Sequence, residues 1–147
     1  MKIRNLISVA VISGTSLLFS TGAFALSPGG AYSFSVVCNT AQGALPINGM
    51  AILGSDRTVS IVDDNNANID TTAIGVWDKD GQVVSGKAVF FRTIAAGQPA
   101  IQIRLDIANG AFNNQTGVID SGTLTITPPA QFGAPVLCNN LVLTPYS

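Results

Sequence analysis

Apolar and polar residues alternate along most of this chain, and the alternation has the two-residue period of a β-strand. In residues 101–107 four aliphatic side chains share one face of the segment, whereas Gln, Arg and Asp share the other. Residues 32–36 and 123–127 repeat the alternation, with serine or threonine at the polar positions. This pattern is typical of antiparallel strands that bury one face and expose the other to solvent.

Glycine, asparagine, aspartate and proline divide the chain into eight segments of strand length. Loops at residues 54–56, 78–81 and 95–99 are short and rich in turn-forming residues, so each predicts a β-hairpin. The predicted strands are residues 32–36, 49–53, 58–62, 72–77, 83–94, 100–107, 118–127 and 136–143. Helix patterns with the required spacing and caps are nearly missing. We therefore expect an all-β fold, a single antiparallel β-sandwich or small β-barrel of about eight strands.

The first 25 residues have the pattern of a secretory signal peptide. Lys2 and Arg4 precede an apolar run at residues 6–19, and the small residues Ala23 and Ala25 follow where a signal peptidase would cut. Cleavage leaves residues 26–147 as a single domain. The apolar run is shorter than the roughly 20 residues of a spanning helix. We expect no transmembrane segment after cleavage, and a protein that is secreted to the extracellular space, the cell surface or the periplasm.

The charge balance bears on the choice of partner. The formal net charge of the whole chain is −1, and loss of Lys2 and Arg4 with the signal peptide makes it −3. The five remaining cations are scattered singly, so they form no basic patch for a phosphate backbone. We expect no nucleic-acid partner.

The two cysteines, Cys38 and Cys138, lie in the similar segments VVCNT and VLCNN. A catalytic thiol would need a nearby base, usually histidine, and the chain contains no histidine. An even number of cysteines in an exported protein instead favours a disulfide. A Cys38–Cys138 bond would place the two Cα atoms within about 7 Å of each other. The first and last strands should therefore be close together.

An Asp- and Asn-rich segment is a candidate calcium site. Asp64, Asn66, Asn68 and Asp70 alternate as the oxygen ligands of a calcium loop can. The EF-hand pattern fails, however, because Ile69 occupies its glycine position. The favoured interpretation is a polar turn, with calcium as the alternative and no other cofactor expected.

The chain offers little catalytic chemistry. It has no histidine, no serine-nucleophile motif, no glycine-rich phosphate loop and no zinc-ligand set. We predict no catalytic residues and a protein that is not an enzyme. A hydrolase that uses a pair of its eight aspartates is the remote alternative.

Two non-enzymatic functions remain. The first is a structural or adhesive protein, such as a subunit of a surface filament, extracellular matrix or coat, which would pair an exposed edge strand with another copy or another surface protein. One of the adjacent Phe90 and Phe91 could then lie at a subunit interface. The second is a secreted β module that binds a small ligand or a partner, for example inside a barrel.

The C-terminal segment LVLTPYS, residues 141–147, resembles the C-terminal strand of chaperone–usher pilins, with alternating apolar residues and tyrosine next to last. The resemblance implies a filament subunit. The chain departs from the pilin pattern at Pro145, which is predicted to interrupt the strand, and in the wide separation of its cysteines.

Overall fold

The structure, a computed structural model, describes residues 26–64 and 70–146, and the strands in these parts form a closed antiparallel barrel. Each strand pairs with the next one along the chain, and β8 pairs with β1 to close the ring. The strands are β1 (Gly30–Thr40), β2 (Gly43–Leu53), β3 (Thr58–Asp63), β4 (Ala73–Asp80), β5 (Val83–Arg92), β6 (Ile101–Phe112), β7 (Ile119–Thr127) and β8 (Val136–Pro145). The predicted all-β fold with adjacent first and last strands is confirmed, and of the two predicted architectures the barrel is the one observed.

Six strands, β1, β2, β3, β4, β6 and β8, are longer than predicted. β2 begins at Gly43 rather than at residue 49, because its first residues pair with the end of β1. β6 runs through Asn109 and Gly110 to Phe112, five residues beyond the predicted strand end at residue 107. β8 extends two residues beyond the predicted end at residue 143 and ends at Pro145, which lies opposite Tyr32. A strand end tolerates proline because the missing N–H costs no ladder hydrogen bond there.

Bulges shape the strands that close the barrel. Asn109 in β6, Ser121 in β7 and Asn140 in β8 have the left-handed φ values 60°, 57° and 57°. The pairing register between β7 and β8 shifts on both sides of Gly122. Bulges increase the bend and twist of a sheet, and here they occur on three neighbouring strands, where the sheet must curve back to meet β1.

The interior of the barrel is apolar, and one half of it is filled by large side chains. Inward-facing residues of this filled half are Tyr32, Leu53, Trp77, Val84, Phe112 and Ile119. Phe112 and Ile119 are only 2% and 1% exposed. The end of the barrel next to this half, here called the closed end, carries the short loops at residues 54–57, 81–82 and 113–118.

Hydrogen bonds hold the aromatic side chains at the closed end. Trp77 donates its indole N–H to the carbonyl oxygen of Gly54 at 2.9 Å. Tyr32 donates its hydroxyl to the carbonyl oxygen of Pro28 at 2.9 Å, and burial raises the pKa of this phenol. The guanidinium of Arg57 covers the Trp77 ring and also pairs with Asp78. Trp77 therefore seals this end of the core.

Candidate ligand-binding cavity

The other half of the barrel interior contains a cavity of about 210 Å³. Its floor is formed by the rings of Phe34 and Phe90, which are each 6% exposed. Small side chains, Ala51 and Ala73, stand at inward positions of β2 and β4 and leave the space unfilled. Leucines and isoleucines of β6, β7 and β8 complete the wall.

The cavity opens at the end of the barrel opposite Trp77, here called the open end. Four connections lie at this end, and their described residues are 41–42, 64 and 70–72, 93–100, and 128–135. The loops 93–100 and 128–135 are each longer than any loop at the closed end. Leu45, whose side chain contributes to the cavity wall, is 45% exposed at this end. Ile94 and Phe132, in two of the loops, are 49% and 48% exposed. The open end therefore carries exposed apolar side chains, and that of Leu45 lines the cavity itself.

An ion pair lies at the mouth of the cavity. Arg92, at the end of β5, donates from Nε and Nη2 to the two carboxylate oxygens of Asp70, at 2.7 and 2.6 Å. Backbone pairing between the same two residues fixes the end of the 64–72 loop against β5. The guanidinium also lies over the Phe90 ring, with its central carbon 5.7 Å from the ring centroid. The pair thus connects the rim of the cavity to its floor.

The electrostatic environment of Arg92 is acidic. Hydrogen bonding to Asp70 raises the pKa of Arg92, and burial of the guanidinium opposes the shift. The charges of Asp70 and of Asp63, which lines the cavity at the end of β3, raise it further. Arg92 therefore remains a cation held among carboxylates.

Two threonine hydroxyls at the cavity rim have partners within the protein. Thr40 donates to the carbonyl oxygen of Gly43 at 2.8 Å. The hydroxyl of Thr71 accepts the N–H of Phe91 at 3.0 Å. Because these polar groups hold the strand ends together, the chemistry that the cavity presents to a ligand is dominated by its apolar wall.

The predicted disulfide is confirmed, and it lies in the wall of this cavity. Cys38 of β1 and Cys138 of β8 are bonded, with their Cα atoms 3.8 Å apart and directly opposite each other in the ladder. Both side chains point inward and are 1% and 0% exposed. Cys38 lines the cavity. The bond therefore fastens the seam at which the barrel closes.

The candidate calcium residues are only partly described by the structure. Asp64 is exposed after β3, whereas Asp70 faces Arg92 in the ion pair. Asn66 and Asn68 lie outside the described residues. Within residues 26–64 and 70–146 no three His, Cys, Asp or Glu side chains are grouped as metal ligands. The calcium alternative stays a prediction.

The cavity cannot be recognised from the sequence alone, although two features that relate to it are present there. Phe90 and Phe91 alternate as a strand requires, so Phe90 forms the cavity floor while Phe91 is 47% exposed on the outer wall. Alanines at inward positions of β2 and β4 are the other feature. The unfilled space that these alanines leave could not be predicted without knowing which side chains lie across the barrel from them.

No protein-family model, curated protein or solved structure matches this chain. In the described part of the chain no helix is both long and apolar enough to cross a membrane.

Proposed function

We propose that this protein binds a small apolar molecule inside its β-barrel. The observation that carries the proposal is the cavity, because protein interiors are normally packed with few voids larger than a water molecule. Here one half of the interior is filled by Tyr32, Trp77 and Phe112, whereas the other half retains about 210 Å³. Barrels of about eight strands are wide enough to hold one small ligand.

The size of the cavity restricts the ligand to a compact molecule. An apolar cavity of about 150 Å³ is large enough for benzene, so this one suits roughly seven to ten non-hydrogen atoms. The volume is below the roughly 300 Å³ at which drug-sized pockets begin. A single substituted ring or a short branched chain therefore fits better than a long acyl chain.

Filling the cavity tests this function. We expect toluene to bind the purified protein and to shift the NMR signals of residues that line the cavity, such as Ala51 and Phe90. Ala73→Leu places a larger apolar side chain into the space, so toluene affinity should fall by at least about tenfold.

The matched control is Ala111→Leu, because Ala111 is exposed near the closed end. This variant should bind toluene as the wild type does. Thermal unfolding of both variants checks that the fold is intact. Equal toluene affinity of Ala73→Leu and the wild type, or shifts confined to the outer surface, would contradict the proposal.

A second candidate, a structural or adhesive role, is favoured by the outer surface of β2–β5. This outer face combines apolar side chains that are 45–63% exposed: Met50, Ile52, Val62, Ile74, Val76 and Phe91. Met50 lies opposite Val62, and Ile74 lies opposite Val89, so the residues are neighbours across strands. Exposed apolar surface of this kind is typical of protein interaction sites.

Assembly would have to use this outer face rather than an edge strand. Each of the eight described strands pairs on both sides, and closure of a barrel removes the unpaired edges. We expect the protein to form dimers or larger assemblies in light scattering, and Ile74→Lys to shift it towards the monomer. Leu137→Lys, at an exposed position of β8 and therefore outside the β2–β5 surface, is the control. A monomer at every concentration up to the millimolar range would contradict this role.

A further inference from the structure

The charges at the open end of the barrel are almost all negative. Its four loops contain no lysine or arginine, and their charged residues are Asp64 and Asp70. The strand ends that line the cavity add Asp63 and Arg92. The nearest cation in β6, Arg104, is exposed between the inward-facing Ile103 and Leu105 and therefore points away from the cavity. The charges of Asp70 and Asp63 thus act on one guanidinium at the entrance, and Asp64 adds a third negative charge to the open end.

The guanidinium is committed to a partner within the protein. Arg92 makes two charge-assisted hydrogen bonds to Asp70, whose side chain is only 6% exposed. Asp70 occupies the Nε–Nη2 edge of Arg92, so a ligand carboxylate could take this bidentate position only by displacing that carboxylate. Displacement would leave Asp70 buried without its cation, which is a costly arrangement in a protein interior. Arg92, the only cation that lines the cavity among residues 26–64 and 70–146, is therefore a poor receptor for an anion.

We propose that the cavity selects compact apolar molecules that are neutral or carry a cationic head group, and that it rejects carboxylates of the same shape. The proposal rests on the proposed binding function and specifies its ligand class. The apolar body of the ligand lies on the Phe34 and Phe90 rings, and its polar end lies at the rim beside Asp63. Charge selection at the rim does not change the contacts of the apolar body. Binding of the apolar body and discrimination between charged ligands can therefore be measured separately.

Three ligands that share one ring test the selection. Toluene, benzylamine and benzoate have similar size but are neutral, cationic and anionic at pH 7. We measure their affinities for the purified protein by NMR titration at low ionic strength, where charge effects are least screened. We expect toluene and benzylamine to bind, and benzoate to bind at least about tenfold more weakly than benzylamine.

Two variants test whether Asp70 and Asp63 cause the charge selection. Asp70→Asn removes the carboxylate that occupies Arg92, so benzoate should gain affinity and benzylamine should lose it. Asp63→Asn should weaken benzylamine binding by a larger factor than it changes toluene binding. Asp120→Asn makes the same change of charge at an exposed position near the closed end and should alter none of the three affinities.

The possible outcomes distinguish the two proposals. If toluene binds but benzoate binds as tightly as benzylamine, the charge selection is wrong and the binding function stands. If none of the three ligands binds, the binding function fails and the selection fails with it. If Asp70→Asn does not fold, the comparison of the three ligands with the wild type and with Asp63→Asn still decides the proposal.

Discussion

Gly75 shows how a single residue limits the packing of this barrel. It lies in β4 opposite Ala88 of β5. A Cβ atom at this position would be 1.8 Å from the carbonyl oxygen of Lys87 and 2.5 Å from the Cα of Ala88. Both are backbone atoms, which cannot move aside as the end of a flexible side chain can. The β4–β5 pair therefore requires glycine at residue 75.

We expect Gly75→Ala to lower the free energy of unfolding by about 2–3 kcal/mol, because the added methyl group overpacks the site and forces the backbone to move. Gly86→Ala is the control, because its new Cβ would have its nearest neighbour at 3.2 Å. That substitution should change stability by less than about 1 kcal/mol, as it also reduces the freedom of the unfolded chain. Urea unfolding of the two variants measures the difference. Equal losses of stability in the two variants would show that the close approach of the β5 backbone is not the reason for glycine at residue 75.

At the scale of the strands, the sequence indicated the elements better than their ends. The alternation in residues 101–107 has the inward and outward positions that β6 shows, with Ile103 and Leu105 buried. It could not show that β6 continues to Phe112, because Asn109 and Gly110 have the composition of a turn and here form a bulge. A bulge and a turn use the same residue types. Only the pairing with β5 and β7 distinguishes them.

The candidate site was less predictable than the strands because it depends on contacts between strands distant in sequence. The cysteine pair could be predicted, since two cysteines in a chain with a predicted signal peptide allow one intramolecular bond. The cavity could not, because its volume depends on side chains from all eight strands. Asp70 illustrates the difference. Its place in the sequence favoured a role in a polar turn or as a calcium ligand, whereas in the fold its carboxylate accepts a hydrogen bond from Arg92, 22 residues away.

At the scale of the whole molecule, the disulfide determines how firmly the barrel is closed. Cys38 and Cys138 are 100 residues apart and join the first strand to the last. In the unfolded chain the bond closes a loop that spans most of the domain, and such a constraint stabilises the folded state by up to about 4–5 kcal/mol. The β1–β8 ladder still closes the barrel without the bond, through pairs such as Phe34 with Leu143.

We therefore expect reduction to weaken the barrel without abolishing its fold. The reduced protein should unfold at a lower urea concentration than the oxidised protein, with a loss of about 2–5 kcal/mol. The double variant Cys38→Ala/Cys138→Ala should behave like the reduced protein and should not respond to reductant, which separates the bond from other effects of the reductant. Because Cys38 lines the cavity, we also expect toluene to bind the reduced protein more weakly. An oxidised protein that is no more stable than the reduced one would mean that the strand ladder alone closes the barrel.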